Sequence, residues 1–265
     1  MKPELKLSQI TDDVMFENVM KDPDTCKLLI EAILPNLQIS EIEVHTQTRI
    51  KDNRDNRSSI LDVWVKDDLG RQYDLEMQLG QKGSMDLRAR YYLSRLDTES
   101  LHTGEDYEHL EAAYVIFICG FDPKGLGLKE YDFVYQCKQD PSLELDTKTE
   151  IIYLNSIGNK GEVSEDLQNL FDMMNDKDPS RTELTDKMMS RMIAYSQTPE
   201  WRDHEMYIDA VVDKAVGKAN MQSIIRTVKN FKSSGRDDQY ILDFLTDIYG
   251  DEYTKDELKK FIEEN

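Results

Sequence analysis

The sequence predicts a mixed α/β fold, a central mixed sheet flanked by helices, followed by an all-helical C-terminal region. Three observations predict it. Strand-like and helical segments alternate over the first part of the chain. The run from Ala112 to Cys119 is continuously apolar, as a strand buried on both faces requires. After about residue 160 only helical patterning remains, so a soft boundary falls near Gly161 between a core of 1–160 and a helical region of 161–265. The length of 265 residues, with 39% hydrophobic and 32% charged side chains, suits one large domain or a domain with an appendage.

Taken in order, a first helix is expected from Thr11 as N-cap, with Asp12 and Asp13 in its first turn and Phe16, Val19 and Met20 as its apolar stripe. A second runs from about Asp24 to Leu34 and stops at Pro35. Strands are expected at 44–50, 59–65 and 71–79, then a long helix over 84–102. Further strands are expected at 112–120, 131–137 and 150–155. In the C-terminal region Ser164 caps a helix, and Thr198-Pro199 gives an N-cap with proline at the first helical position. Met221, Ile224, Ile225, Val228 and Phe231 share a face that Ser233-Ser234-Gly235 interrupts, and Thr254 with Glu257 forms a capping box. These C-terminal stripes suit a core or a partner-helix surface, which makes the helices a candidate face for homo-oligomerisation.

Composition excludes several classes. The longest apolar run is far too short to span a bilayer, so no membrane association is expected. The N-terminal MKPELKLSQI carries no apolar signal region, which predicts a cytoplasmic protein. Cys26, Cys119 and Cys137 are scattered, without disulfide or zinc spacing, and the four histidines make no zinc-binding pattern. No phosphate-binding glycine loop and no G-x-S-x-G is present. The net charge of −20 argues against a general nucleic-acid coat, because phosphate binding needs a positive footprint. The charge is uneven: from His45 to Arg95 ten basic residues meet eight acidic ones, leaving that window at +2 and the remainder at −22.

That window holds LDVWVKDDLGRQYDLEMQ. Strand alternation puts Leu61, Val63 and Val65 on one side and Asp62 and Trp64 on the other. Leu75, Met77 and Leu79 likewise oppose Asp74, Glu76 and Gln78. Asp68-Leu69-Gly70 reads as a three-residue hairpin loop with glycine in the left-handed position, which pairs Asp67 with Arg71. Antiparallel partners keep a constant sum of residue numbers, here 138, so Asp62 falls opposite Glu76, with Cβ atoms about 5 Å apart. Two opposed carboxylates repel. A hard divalent cation such as Mg²⁺ is one natural partner, held by one or two carboxylates, water and substrate phosphate. A solvated sheet face whose repulsion is screened by Lys66 or Arg71 is the other.

Four further segments accompany Leu61-Asp62-Val63 and Leu75-Glu76-Met77-Gln78 of this hairpin: Asp13-Val-Met-Phe16, Arg88-Ala-Arg-Tyr91-Tyr92-Leu-Ser94, Gly104-Glu-Asp-Tyr107 and the strand YVIFICGFD. In order and spacing they resemble the PD-(D/E)XK nuclease superfamily. More narrowly they resemble its recombination-promoting nuclease, or transposase, branch, over residues 8–123. The resemblance implies a restriction-endonuclease-like core that cuts DNA with Mg²⁺, for which Mn²⁺ substitutes. It implies Asp62 and Glu76 as metal ligands and, with Gln78, as the catalytic set. Gln78 would stand where most of the superfamily has lysine, as is usual in this branch. Helices of the branch often carry a basic residue after the phenylalanine, where this chain has Glu17.

Asp13, Arg88 and Tyr91 are additional candidates. An acid in a first helical turn also serves the macrodipole without any metal. Arg88 shares a helical face with Tyr91 or Tyr92, either to contact a phosphate or to pack on the sheet. Gln78 offers an amide and no positive charge, so it suits orienting a water, with Lys51 or Lys82 as nearby cations. The reading is therefore a Mg²⁺-dependent DNA endonuclease. Two alternatives remain: an inactive relative that binds DNA or protein, which the charge and the missing lysine favour, and a phosphohydrolase of small nucleotides.

Overall fold

The hairpin that carries the two acids lies inside a six-stranded sheet. The computed structural model describes residues 6–50, 59–81, 83–101, 104–250 and 252–265, with 47–50 and 59–60 described by backbone alone. Chain contacts divide these residues into two units, 1–197 and 198–265.

In the first unit, α1 (Asp13–Met20) is capped by Asp12, whose carboxylate accepts from the Val14 and Met15 N–H groups. The cap expected at Thr11 is therefore one residue early. Leu7–Thr11 forms a 3-10 turn, and the Thr11 hydroxyl donates back to the Ser8 carbonyl. Helix α2 (Pro23–Ile33) follows, with Asp22 as N-cap and proline at its first position. Strands β1 (Ile42–Ile50), β2 (Ser59–Asp67) and β3 (Gln72–Gln78) form an antiparallel meander. Helix α3 (Met85–Ser100), capped by Ser84, then crosses to β4 (Ala113–Cys119), which pairs parallel with β3. Strands β5 (Glu130–Phe133) and β6 (Thr149–Asn155) complete the order β1-β2-β3-β4-β6-β5, with β4 and β6 parallel and β5 antiparallel at the edge. The strand expected at 131–137 is shorter than predicted. Beyond Phe133 the chain leaves the sheet, and Val134 and Tyr135 stay exposed.

Every residue of β4 is buried. On one face Val115, Phe117 and Cys119 pack with Ala89, Tyr92 and Leu96 of α3. Helices α1 and α2 lie against β1 and β2, and α4 (Glu165–Met174) and α5 (Glu183–Ser196) pack on α1 and α2. The helices that follow Gly161 thus divide between the two units.

The second unit has its own core. Ile224 and Val228 of α6 (Pro199–Ser233) pack with Ile241 and Leu245 of α7 (Asp238–Tyr249) and with Leu258 and Ile262 of α8 (Lys255–Glu264). The Thr254–Glu257 capping box forms as expected. Of the stripe expected on α6, Ile224 and Val228 are buried, and Met221 is exposed. Helices α5 and α7 were not separately legible in the sequence. Among the described residues no helix is long and apolar enough to cross a membrane.

Candidate active site

The β2–β3 turn sets the register of the site. Gly70 has φ +84°, a left-handed conformation that glycine adopts without strain. The Asp67 N–H donates to the Arg71 carbonyl at 3.0 Å, which closes the predicted loop. Val63 pairs with Leu75, Trp64 with Asp74, Val65 with Tyr73 and Lys66 with Gln72, each pair summing to 138. Arg71 and the Tyr73 hydroxyl both turn to the carboxylate of Asp67, and Arg71 also donates to the Gln38 carbonyl. Arg71 therefore braces the turn instead of screening the acids at the far end of the hairpin, and exposed Lys66 lies at the turn end too.

One step past the Val63–Leu75 pair, side chains take over from the backbone ladder. The Asp62 N–H donates to Glu76 Oε1 at 3.3 Å, and the Asp62 carboxylate accepts from the Met77 N–H. Asp62 and Glu76 thus meet at the far end of the hairpin, as the register requires. Burial, followed by the nearby charges of Asp13 and Glu17, pushes the Asp62 carboxyl up to about 7. Glu76 is almost fully buried, and burial with the charges of Asp74 and Asp62 holds its pKa well above the carboxylate range. Asp74, which the sequence reading placed on this face without assigning it a role, is fully buried. Burial and Asp62 raise its pKa strongly too. Among the described residues no N–H or hydroxyl donor reaches either Asp74 carboxylate oxygen, and the Glu76 carboxyl lies beside it.

Among the described residues Arg88 is the cation that answers this cluster. Its Nη2 lies 3.5 Å from Glu76 Oε2, and its guanidinium stacks 5.0 Å from the Phe117 ring centroid and 5.7 Å from that of Tyr92. Tyr92, one residue beyond the Tyr91 candidate, is buried under the guanidinium; Tyr91 is half-buried and tilted against Tyr92 at 6.5 Å. Gln78 is half-buried, and its amide donates to the Met77 carbonyl at 2.8 Å. The structure therefore brings together Asp62, Glu76 and Arg88, with Asp13 and Glu17 of α1 close enough to act electrostatically, and turns the Gln78 amide onto the backbone. Asp74 and Glu17 are the two acids that sequence reasoning missed as site residues. Their signals were an i, i+2 position on the strand face and an i, i+4 position one helical turn from Asp13.

Among the described residues of the basic window, Lys66 and Arg90 are exposed. Arg71 and Arg88 are committed to acids, and Arg95 is buried. Lys51, Arg54, Arg57 and Lys82 lie outside the described residues, and so does the side chain of Arg49. Asp122, in the segment after β4, is structural: it accepts from the Lys124, Gly125 and Gly127 N–H groups and from the Tyr131 hydroxyl, and these bonds hold its pKa down to about 2.

The sequence matches the family described as PD-(D/E)XK nuclease family transposase over residues 13–224. The chain belongs to that family. A search of curated proteins finds no match, and neither does a search of solved structures. The mixed six-stranded sheet with flanking helices agrees with the fold that the sequence resemblance implied.

A divalent cation suits the PD-(D/E)XK hairpin by chemistry. Among the described residues the donors are all carboxylate oxygens, two of them unsatisfied on Asp74, and the acids outnumber the cation facing them. Among the described residues no group of three or more His, Cys, Asp or Glu side chains is placed to hold a metal ion, so protein ligands there would number two, with water and phosphate as the others.

Replacing Arg88 with Ala is expected to destabilise the protein by about 2–4 kcal/mol, because it strips the charge partner of Glu76 and the stacking on Phe117. The loss should be larger at pH 8 than at pH 5, where the acids are protonated. Thermal unfolding at the two pH values measures it; equal losses would mean that Arg88 acts only through packing.

Proposed function

We propose that the chain is a divalent-cation-dependent DNA endonuclease, working with Mg²⁺ and accepting Mn²⁺. The observation that carries this reading is the meeting of half-buried Asp62 and buried Glu76 at the end of the hairpin, both pushed toward protonation. Membership of a nuclease family supports DNA as substrate.

Asp62 and Glu76 would hold the cation, with Asp74 available through its unsatisfied oxygens. Bound there, the cation supplies Lewis acidity toward a phosphoryl oxygen and makes hydroxide accessible near neutral pH. The chain's own groups do the rest. Asp62 and Glu76 give up protons when the site loads, since a ligating carboxylate must be ionised. Arg88 balances the remaining negative charge and fixes the Glu76 carboxylate. Gln78, released from the Met77 carbonyl by a side-chain rotation, would offer its amide to orient a water. The acidic remainder of the chain would repel DNA elsewhere and confine phosphate contact to the basic window.

Cleavage of supercoiled plasmid by purified protein tests this reading. Nicking or linearisation with Mg²⁺, absent with chelator and absent in Glu76→Gln purified in parallel, is the expected result. Equal activity in Glu76→Gln would refute it.

A second reading, a nuclease-fold module that binds DNA or protein without cutting, is favoured by one observation: the Gln78 amide is engaged with backbone and not with the acids. Absence of metal-dependent cleavage by the wild-type chain would favour this second reading; where it cleaves, Gln78→Lys tests the role of that position. In an active site the ammonium adds charge stabilisation near the phosphate and repels the cation, so the Mg²⁺ midpoint of cleavage should rise while the plateau is kept or improved. Loss of cleavage with metal binding retained would assign Gln78 a positioning role that needs its amide. An unchanged midpoint and plateau would make Gln78 a bystander.

A further inference from the structure

The longest helix of the chain carries a face that nothing in its own unit covers. From Gly217 onward α6 engages the helical bundle: the Tyr253 hydroxyl donates to the Gly217 carbonyl, and Ile224 and Val228 are fully buried. Between Met206 and Val216 every residue is exposed. Solvent-exposed helix is ordinarily polar, and β-branched residues are poor helix formers that gain their place by packing. Yet Ile208, Val211, Val212 and Val216 fall in this stretch, each 39–51% exposed. Ile208, Val212, Ala215 and Ala219 follow i, i+4, i+7, i+11, and Val211 flanks them, so they form one seam.

The charges along α6 say what covers the seam. From Glu200 to Asp213 the helix carries five acids against Arg202 alone. From Lys214 to Ser233 it carries five bases and no acid. The polarity changes between Asp213 and Lys214, at the middle of the apolar stretch. A second α6 running antiparallel sets each acidic half against a basic half while the seams meet at the centre. A parallel copy would set like against like.

We propose that this chain is a homodimer in which the exposed seam of α6, centred on Val211 and Val212, pairs antiparallel with the same seam of a second copy. The contact is isologous, the same patch used twice about a two-fold axis. It buries the valines that otherwise face water and uses the helix's charge gradient as its orientation signal.

Sedimentation velocity of the full chain over a concentration series tests it, with far-UV circular dichroism confirming that each variant keeps its helix. The expected result is a dimer whose Kd rises about 100-fold in Ile208→Glu/Val212→Glu, which buries unpaired charge in the seam. Lys214→Glu/Lys218→Glu keeps the seam and should also weaken the dimer, because it sets acids against acids. A monomeric wild-type chain would overturn the proposal and leave the face to a different occupant. So would a dimer indifferent to Ile208→Glu/Val212→Glu. A dimer sensitive to that pair but indifferent to Lys214→Glu/Lys218→Glu would overturn the antiparallel arrangement, since a parallel pair only exchanges one like-charge contact for another.

Discussion

Asp62→Asn should reduce Mg²⁺-dependent plasmid cleavage by about 10²–10⁴-fold, the cost of losing roughly 3–5 kcal/mol of charge stabilisation at a metal-assisted phosphoryl centre. The same substitution should leave the fold intact in metal-free buffer, or more stable by about 1–2 kcal/mol, because it removes one charge from a group of crowded acids. Asp62→Ala should behave alike in cleavage, and without the isosteric amide it also loses the bond from the Met77 N–H. Steady-state nicking rates and urea unfolding at pH 8 measure the two effects. The opposed signs are the diagnostic: a residue that merely supports the fold would lose activity and stability together.

The second large effect is on stability as a function of pH. The Asp62 carboxyl titrates near 7 in the folded protein and in the ordinary carboxylate range when unfolded, and those of Glu76 and Asp74 are raised as well. Below the unfolded-state pKa both states are protonated and the fold loses nothing. As pH rises from about 4 through 7 the unfolded chain has released protons that the fold retains, so metal-free stability falls, by about 2–4 kcal/mol over the window. This reverses the usual acid-denaturation slope of ion-paired carboxylates. Mg²⁺ should restore most of the loss at pH 8 and little at pH 5, where it must displace protons. Unfolding midpoints at pH 5, 6, 7 and 8, with Mg²⁺ and with chelator, measure it. A metal-free stability that climbs steadily with pH would show that the buried acids are ionised and paired in the folded chain.

The parts of the structure that were legible in the sequence are those fixed by short-range rules. The register of β2 and β3 follows from one glycine that tolerates a positive φ and from strand alternation, and it sets Asp62 against Glu76 from the sequence alone. The buried strand β4 announces itself by an unbroken apolar run, and the caps at Ser164, Thr198 and Thr254 by residue type. Tertiary choices were not legible. Arg71 and Arg88 are both basic residues near the hairpin. That one braces the turn through Asp67 while the other reaches Glu76 depends on how α3 lies over Phe117. Asp74 reads as an ordinary outward acid until β4 and α3 bury its face, and Glu17 reads as a mismatch to the family until α1 sets it near Asp62. Asp12 and Thr11 are both good caps in sequence, and only the bonds to Val14 and Met15 decide between them.

Calorimetric titration of Mn²⁺ at pH 7 tests most directly whether Asp62 and Glu76 at the end of the hairpin form a cation site. Run in two buffers of different ionisation heat, it yields both affinity and the number of protons released. Saturable binding that releases protons, with both signals lost in the Asp62→Asn/Glu76→Gln chain, is the predicted result. Absence of binding at millimolar Mn²⁺, or binding that the double substitution leaves unchanged, would contradict the claim.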